Sequence, residues 1–430
     1  MQAIVVTFDR LATTSLGCYG NEWIETPHFD RLASQAVVFD RHFAEHVGVS
    51  AGMGFGTGCL PQEASARPYQ FGSTWSSGLE TAGVELHLLN EFDVLPWSMA
   101  LRKTSRTLIT NRHVPDPKPD EIPFAVLVQS AREMLAEPRG AASRIVWLHS
   151  AGVPEPWLPP EGFATLYFDE YEERGCEMAA VTRDNWGIHP AAYAGYVSLL
   201  DHWLGELVTA VEAASKSEPT LLIIAAARGG DWMTLSAEQA RQSVREQTTS
   251  LSSLEEEPQA QAVEPWIPRE TIPLSDTITR TPLLLRLFDP GPFRTEFAGT
   301  RSNRLVQTAD LSATLLDYFQ LSVTPSLSEG RSLLHELAET ELPREEICFT
   351  DGAGSRGIRT AEWSCLVDDA ASADEAEPTM ELFAKPEDIW EVNDVSGQQR
   401  EVAAALVSRL NEILPAANPQ THQPCASQSP

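Results

Sequence analysis

Asp9, His46, Ser50, Arg112, His113, His149 and Arg228 carry side chains whose types could do nucleophilic, acid–base or anion-binding chemistry. A serine hydroxyl can attack an ester if an imidazole takes its proton. Guanidinium groups can neutralise the oxyanion that forms or departs. Each residue also has a structural reading. Asp9 closes the apolar run Ile4-Val5-Val6-Thr7-Phe8, where a carboxylate can cap a backbone turn. Ser50 lies in Gly48-Val49-Ser50-Ala51-Gly52-Met53-Gly54-Phe55-Gly56-Thr57-Gly58, and a serine in such a glycine-rich turn usually serves the turn. His46 precedes that turn with no acid partner nearby in sequence. His149 ends the run Arg144-Ile145-Val146-Trp147-Leu148, where a hydrogen-bonded structural histidine is the commoner case.

The elements that must position these residues alternate between strand and helix. Ile4–Phe8, Thr107–Thr110, Arg144–Leu148, Thr220–Ala225 and Pro282–Leu287 read as strands. Thr26–Ala36 reads as a helix, with Thr26 at the cap and Pro27 in the first turn. Residues 96–103, Ala125–Ala136, Ala191–Ala214 and Asp310–Phe319 also read as helices, the third with Tyr196, Leu199, Leu200, Trp203, Leu204, Leu207 and Val211 on one face. Strands separated by helices predict a large, mainly parallel sheet sandwiched by helices. From about residue 340 the pattern becomes short strands and a last helix, Gln399–Leu414, which predicts a small antiparallel sheet with a helix. The expected organisation is an α/β core over 1–340, a C-terminal α+β subdomain over 341–414 and a flexible tail over 415–430. Residues 236–270, polar and acidic, read as a surface loop or insertion.

The order of several landmarks resembles the sulfatase family of the alkaline phosphatase superfamily. The N-terminal strand ending on Asp9 is followed by Leu16-Gly17-Cys18-Tyr19-Gly20, Thr26-Pro27-His28-Phe29-Asp30-Arg31-Leu32-Ala33 and the stretch closing on Thr57-Gly58. Trp147-Leu148-His149 with Pro154-Glu155-Pro156-Trp157-Leu158-Pro159-Pro160 comes next. Then come Thr220 to Gly229, Arg280-Thr281-Pro282-Leu283, Asp310–Asp317, Gly330-Arg331-Ser332-Leu333-Leu334, Gly357–Trp363 and Glu381-Leu382-Phe383. The resemblance covers nearly the whole chain and implies an alkaline phosphatase/sulfatase-like fold.

The resemblance also implies a residue set, and this chain departs from it. The family places a Cys or Ser, matured to formylglycine, where this chain has Gly48, and an Arg where it has Gly52. An Asp and a His of the family fall on Gly152 and Pro154. Its Asp-His-Gly reads Ala227-Arg228-Gly229, and Arg10 stands where many members carry a second Asp. The expected Lys-Trp-His after the Thr107 strand reads Asn111-Arg112-His113. Asp9 matches the first metal-binding Asp and is the one expected carboxylate ligand retained. One carboxylate does not assemble the six to eight oxygens that calcium takes, so no cofactor is expected unless the family's calcium site survives. With nucleophile, ligands and substrate histidine all replaced, the expectation is a catalytically inactive, sulfatase-like protein with a binding, regulatory or partner role. Two alternatives stay open. One is a sulfuric or phosphoric ester hydrolase rebuilt around Ser50, His46, His149 or His113. The other is a metal-free oxyanion binder using Arg228 and Arg112. An Asp9–Arg228 ion pair is expected where the cation would sit, because a buried carboxylate needs a partner.

Composition narrows the partners. The chain has 430 residues and a formal net charge of −30, without the clustered Lys and Arg of a nucleic-acid footprint. Acidity also disfavours anionic membrane surfaces. The six cysteines show no Cys-x-x-Cys pair and no zinc spacing. The chain starts directly on a strand without a signal-peptide pattern, and no apolar run reaches the length of a membrane span. A cytoplasmic protein with reduced thiols is expected. Its partner would be another protein or a small sulfated or phosphorylated ligand, with neither nucleic acid nor membrane.

Overall fold

A computed structural model describes residues 1–48, 51, 55, 78–91, 105–109, 117–137, 142–154, 157–167, 189–230, 274–288, 297–321, 330–338, 342–352, 354–369 and 379–414. Ser50, Gly52, Arg112 and His113 lie outside them, as do the expected helix over 96–103, the 236–270 segment and the tail. The described strands are β1 (Gln2–Arg10), β2 (Val37–Phe39), β3 (His42–Phe43), β4 (Glu85–Asn90), β5 (Ser105–Ile109), β6 (Arg144–Gly152), β7 (Thr220–Arg228), β8 (Leu283–Phe288), β9 (Thr300–Ser302), β10 (Val306–Gln307), β11 (Glu346–Thr350), β12 (Ser355–Thr360), β13 (Trp363–Asp368) and β14 (Thr379–Ala384). The helices used below are α1 (Pro27–Ala33), α2 (Pro123–Ala136), α3 (Glu161–Ala164), α4 (Pro190–Ala214), α5 (Asp276–Thr279), α6 (Asp310–Tyr318), α7 (Leu333–Leu337) and α8 (Arg400–Ile413).

The main sheet runs β5-β4-β6-β1-β7-β8-β2-β9. Its pairings are parallel except around β8, which lies antiparallel to β7 and to β2. Both faces are covered, which is why β1, β6 and β7 read as continuous apolar runs rather than alternating ones. On β1, Ile4, Val6 and Phe8 point into a core shared with α1, α2 and α4. Ala3 and Val5 point into a second core with Leu311 and Leu315 of α6 and Leu333 of α7. Phe8 stacks obliquely on Phe124 at 5.2 Å and Phe29 at 6.5 Å between ring centres. Fully burying such a side chain is worth roughly 1.5–3 kcal/mol.

The helix expected from Thr26 is shorter than its sequence pattern, Pro27–Ala33. Thr26 sits at the cap, but its hydroxyl accepts from the Gly17 N–H at 2.9 Å rather than from the helix. The first-turn donors are taken instead by Asp201 of α4, whose carboxylate accepts from His28 N–H at 3.0 Å and Phe29 N–H at 2.8 Å. A carboxylate there also complements the helix dipole.

The C-terminal strands form a separate antiparallel sheet, β11-β12-β13-β14, packed on α8 through Ile358, Cys365, Leu382, Ala403 and Leu410. A buried ion network ties it to the main core. Lys385, just after β14, lies 2.9 Å from Asp276 of α5 and 3.1 Å from Glu391. A backbone bridge from His46 to Thr350 is a second tie. Among the described residues no helix is long and apolar enough to cross a membrane.

Candidate functional site

Strand register gathers Asp9, His149 and Arg228 at the C-terminal ends of three neighbouring strands. Thr7 of β1 faces His149 of β6, and Arg10 faces both Gly152 of β6 and Arg228 of β7. Asp9 therefore lies between two strand ends. Arg228 donates to Asp9 Oδ2 at 3.0 Å and to the Val47 carbonyl at 3.0 Å. The ion pair expected between them is formed. Arg10 Nε stands 3.9 Å from the same carboxylate oxygen. Burial pushes the Asp9 pKa up, but Arg228 and Arg10 outweigh it and hold the carboxyl below its usual value. Asp9 is thus an anion clamped by guanidinium groups.

His149 is buried, and its Nδ1 shares a hydrogen bond with Thr7 Oγ1 at 2.8 Å. Thr7 Oγ1 in turn accepts from Trp147 Nε1 at 2.9 Å. The Thr7 hydroxyl also stands 3.5 Å from the Leu148 carbonyl, so it bridges the imidazole, the indole N–H and the backbone of β6. Burial lowers the His149 pKa to about 4, against the raising effect of Asp9, so the ring is neutral near pH 7. This is the geometry of a structural histidine.

His46 also has its pKa lowered to about 4, mainly by burial. Its Nδ1 accepts from the Gly48 N–H at 3.2 Å, and the Asp351 charge acts on it from the C-terminal sheet. The sequence showed no acid near His46 because Asp351 arrives from the far end of the chain.

Gly48 is enclosed. A Cβ built on it would lie 2.1 Å from the Asp351 carbonyl oxygen and 3.1 Å from His46 Cε1. The neighbouring backbone is pinned, with Val47 N–H donating to the Thr350 carbonyl at 3.1 Å and Thr350 N–H to the Glu45 carbonyl at 2.9 Å. The turn that delivers Asp351 is held as well. Its Oδ1 accepts from Gly354 and Ser355 N–H at 3.1 and 2.9 Å. Gly152 is closed in the same way: its φ is +73°, and a Cβ there would meet the Arg10 carbonyl oxygen at 2.0 Å. Positions where the resemblance implies a nucleophile and an acid are therefore places where no side chain fits without moving backbone.

Glu91 is the residue that sequence reasoning missed. It follows β4, and its Oε2 accepts from the Ala151 N–H at 2.9 Å. Burial pushes its pKa up to about 7, Ser150 and the Ala151 N–H pull it down, and Asp9 adds to the rise. The Lys-Trp-His landmark was expected after the Thr107 strand, but that strand, β5, is outermost. β4 and β6 stand between it and β1, and β4 is the strand whose end reaches the cluster. The available signal was the apolar run Leu86, Leu88, Leu89 after Gly83, broken by Glu85 and His87.

The described residues do not fit a calcium site. Asp9 Oδ2 is already paired with Arg228, Ala227 offers no ligand, and the Arg228 guanidinium would repel a cation at that oxygen. Among the described residues no group of three or more His, Cys, Asp or Glu could hold a metal ion.

No protein-family model matches the chain. A stretch of 62 residues is 40% identical to iduronate 2-sulfatase of Mus musculus, which is 14% of this chain and 11% of that protein's length. Solved structures resemble the chain over nearly its whole length. One is a protein in complex with its substrate D-glucosamine-2-N,6-O-disulfate, at TM-score 0.67 and 15% identity, covering 96% of this chain and 97% of that one. Another is the phosphonate monoester hydrolase of Agrobacterium radiobacter, at TM-score 0.66 and 15% identity, covering 96% and 94%. A third is a candidate sulfatase of Bacteroides thetaiotaomicron, at TM-score 0.66 and 14% identity, covering 98% and 97%. The mainly parallel sheet between helix layers, the small C-terminal antiparallel sheet and these likenesses together give the chain a fold shared with sulfatases and the phosphonate monoester hydrolase.

Proposed function

We propose that this chain is a catalytically silent protein on a sulfatase-type fold, acting through binding or as a partner of another protein. The observation that carries this reading is the Asp351 carbonyl oxygen standing 2.1 Å from where a Gly48 side chain would begin. Sulfatase-type chemistry needs a nucleophile at that position, and here the backbone of the C-terminal sheet takes its space. The Arg228–Asp9 pair supports the same reading, because a fixed guanidinium stands where a divalent cation would polarise the ester. Single catalytic groups are worth about 10²–10⁴-fold in rate, so the joint loss of nucleophile and cation leaves little turnover.

The two alternatives draw less support. A rebuilt hydrolase would need His46 or His149 as a base, yet both rings are hydrogen-bonded and held neutral by burial. Ser50 and His113 lie outside the described residues. An oxyanion binder would need Arg228, which is engaged by Asp9 and Val47, together with Arg112, also outside the described residues. We place the protein in the cytoplasm. Cys18, Cys348 and Cys365 carry free thiols, in keeping with a reducing compartment.

The test is turnover of an aryl sulfate and an aryl phosphate, with calcium or magnesium added, alongside calorimetric titration with each cation. No turnover above buffer and no binding heat are expected. Turnover that survives repurification and is abolished by Asp9→Asn would overturn the reading.

A further inference from the structure

The C-terminal sheet carries an apolar knob and, beside it, a cleft of complementary character. The knob is the loop after β14. Ile389, Trp390 and Val392 are 49%, 56% and 82% exposed. Glu391 between them points the other way, with a φ of +54° and its carboxylate buried against Lys385 at 3.1 Å. Asp388 fastens the loop further, accepting from Val392 and Asn393 N–H at 3.0 and 2.9 Å. The apolar side chains are thus displayed on a backbone already fixed, which lowers the entropy lost when they are covered. Glu387 and Asp394 flank the knob and are exposed.

The cleft has a volume of about 390 Å³ and lies between the main core and the C-terminal sheet. Arg41, Arg304, Arg344, Leu305, Glu345 and Glu362 line it, three arginines against two glutamates. Leu342, next to Pro343, is 86% exposed. Arg344 is paired with Asp310, whereas the Arg41 guanidinium makes no hydrogen bond or ion pair among the described residues. Knob and cleft are neighbours: the Lys385 N–H donates to the carbonyl of Glu362 at 2.8 Å.

We propose that a second copy of this chain covers both surfaces, the knob of each entering the cleft of the other about a two-fold axis. Neighbouring patches of opposite character on one surface are what an isologous interface requires, since residue i must meet j while j meets i. An acidic apolar knob matches a cleft with arginines and apolar walls. Tryptophan and arginine are the side chains that most often carry interface energy. The chain's −30 charge repels a second copy at long range, so short-range apolar burial and arginine–carboxylate pairing must carry the contact. The surface lies away from the Asp9 cluster. Along β11 the four steps from Glu346 to Thr350 span about 13 Å, at roughly 3.3 Å per residue.

Sedimentation velocity of the full chain across a dilution series tests this. A dimer at micromolar concentration is expected, with Trp390→Ala and Arg41→Glu each weakening it about tenfold or more. Circular dichroism would check that both variants stay folded. Mixing the two variants is expected to restore dimer, because one contact of the mixed pair then joins an intact knob to an intact cleft. Wild-type chain that sediments as a monomer throughout would overturn the proposal. So would a dimer indifferent to both substitutions, or a mixture no tighter than either variant alone.

Discussion

At Gly48 a one-atom difference decides what the site can be. An alanine, serine or cysteine there adds a Cβ that meets backbone, the Asp351 carbonyl oxygen at 2.1 Å, rather than the mobile end of a side chain. The turn carrying that carbonyl is tied by the Asp351 carboxylate and by the Thr350 hydroxyl, which donates to the Ser355 carbonyl at 2.8 Å. Relief therefore requires shifting the contact between the main core and the C-terminal sheet. Gly48→Ala and Gly48→Cys should each destabilise the protein by about 1–3 kcal/mol, the usual range for overpacking. Gly48→Cys should not acquire sulfatase activity even when produced with a formylglycine-generating enzyme. Urea unfolding of both variants, with aryl sulfate turnover of the cysteine variant, checks this. A Gly48→Cys protein as stable as wild type would mean that the Asp351 turn yields easily and the position is open. That position 48 carries no nucleophile is legible in the sequence. The sequence could not disclose that the position is closed, because the closing atom belongs to a backbone some 300 residues away along the chain.

Elements borrow from one another at their ends, and these loans were the least legible part of the fold. β1, β6 and β7 were readable because burial on both faces writes continuous apolar runs. Asp9, His149 and Arg228 were readable as a cluster because each falls at or near such a strand's end. β4 is harder to read because it opens on Glu85 and His87 interrupts its apolar residues, and Glu91 is lost with it. Helix α1 and its cap position, Thr26, are legible in the sequence; that Asp201 of α4 takes the first-turn donors is not. Asp201 is 2% exposed, and burial pushes its pKa up to about 7, from 3.8, against the pull of the Phe29 and His28 N–H groups. Removing the acceptor should cost about 1–3 kcal/mol, so Asp201→Ala is expected to loosen the α1–α4 contact. Asp201→Asn keeps an acceptor and loses the titrating group. A raised carboxyl pKa stabilises the fold fully below the unfolded value and loses that contribution as pH rises through about 7. The asparagine variant should therefore gain on wild type between pH 5 and pH 8, measured by urea unfolding at both. A gap between the two proteins that stays constant with pH would show that Asp201 is ionised throughout.

Across the whole molecule, buried acids and buried histidines oppose one another in their response to pH. Burial raises Glu45 and Glu91 to about 7 from 4.5, and lowers His42, His46 and His149 to about 4 from 6.5. Between about pH 4.5 and 6.5 each such acid holds a proton when folded that it has lost when unfolded, so its contribution falls as pH rises. Over the same window each histidine is neutral when folded and protonated when unfolded, so its contribution rises with pH. Glu91 and His149 stand at the same edge of the sheet, where the Glu91 N–H donates to the His149 carbonyl at 3.2 Å, and they pull in opposite directions. Glu91→Gln should therefore leave a stability curve that rises more steeply with pH than wild type in this window, and His149→Gln one that rises less. A full proton difference is worth about 1.4 kcal/mol per pH unit, and the partial solvent contact of Glu91 reduces its share below that. The double variant should return close to the wild-type slope. Urea unfolding at half-unit steps of pH would resolve the two tilts. Parallel curves for wild type and both single variants would mean that neither group is held far from its ordinary pKa, and the Asp9 edge would then be wetter than its burial implies.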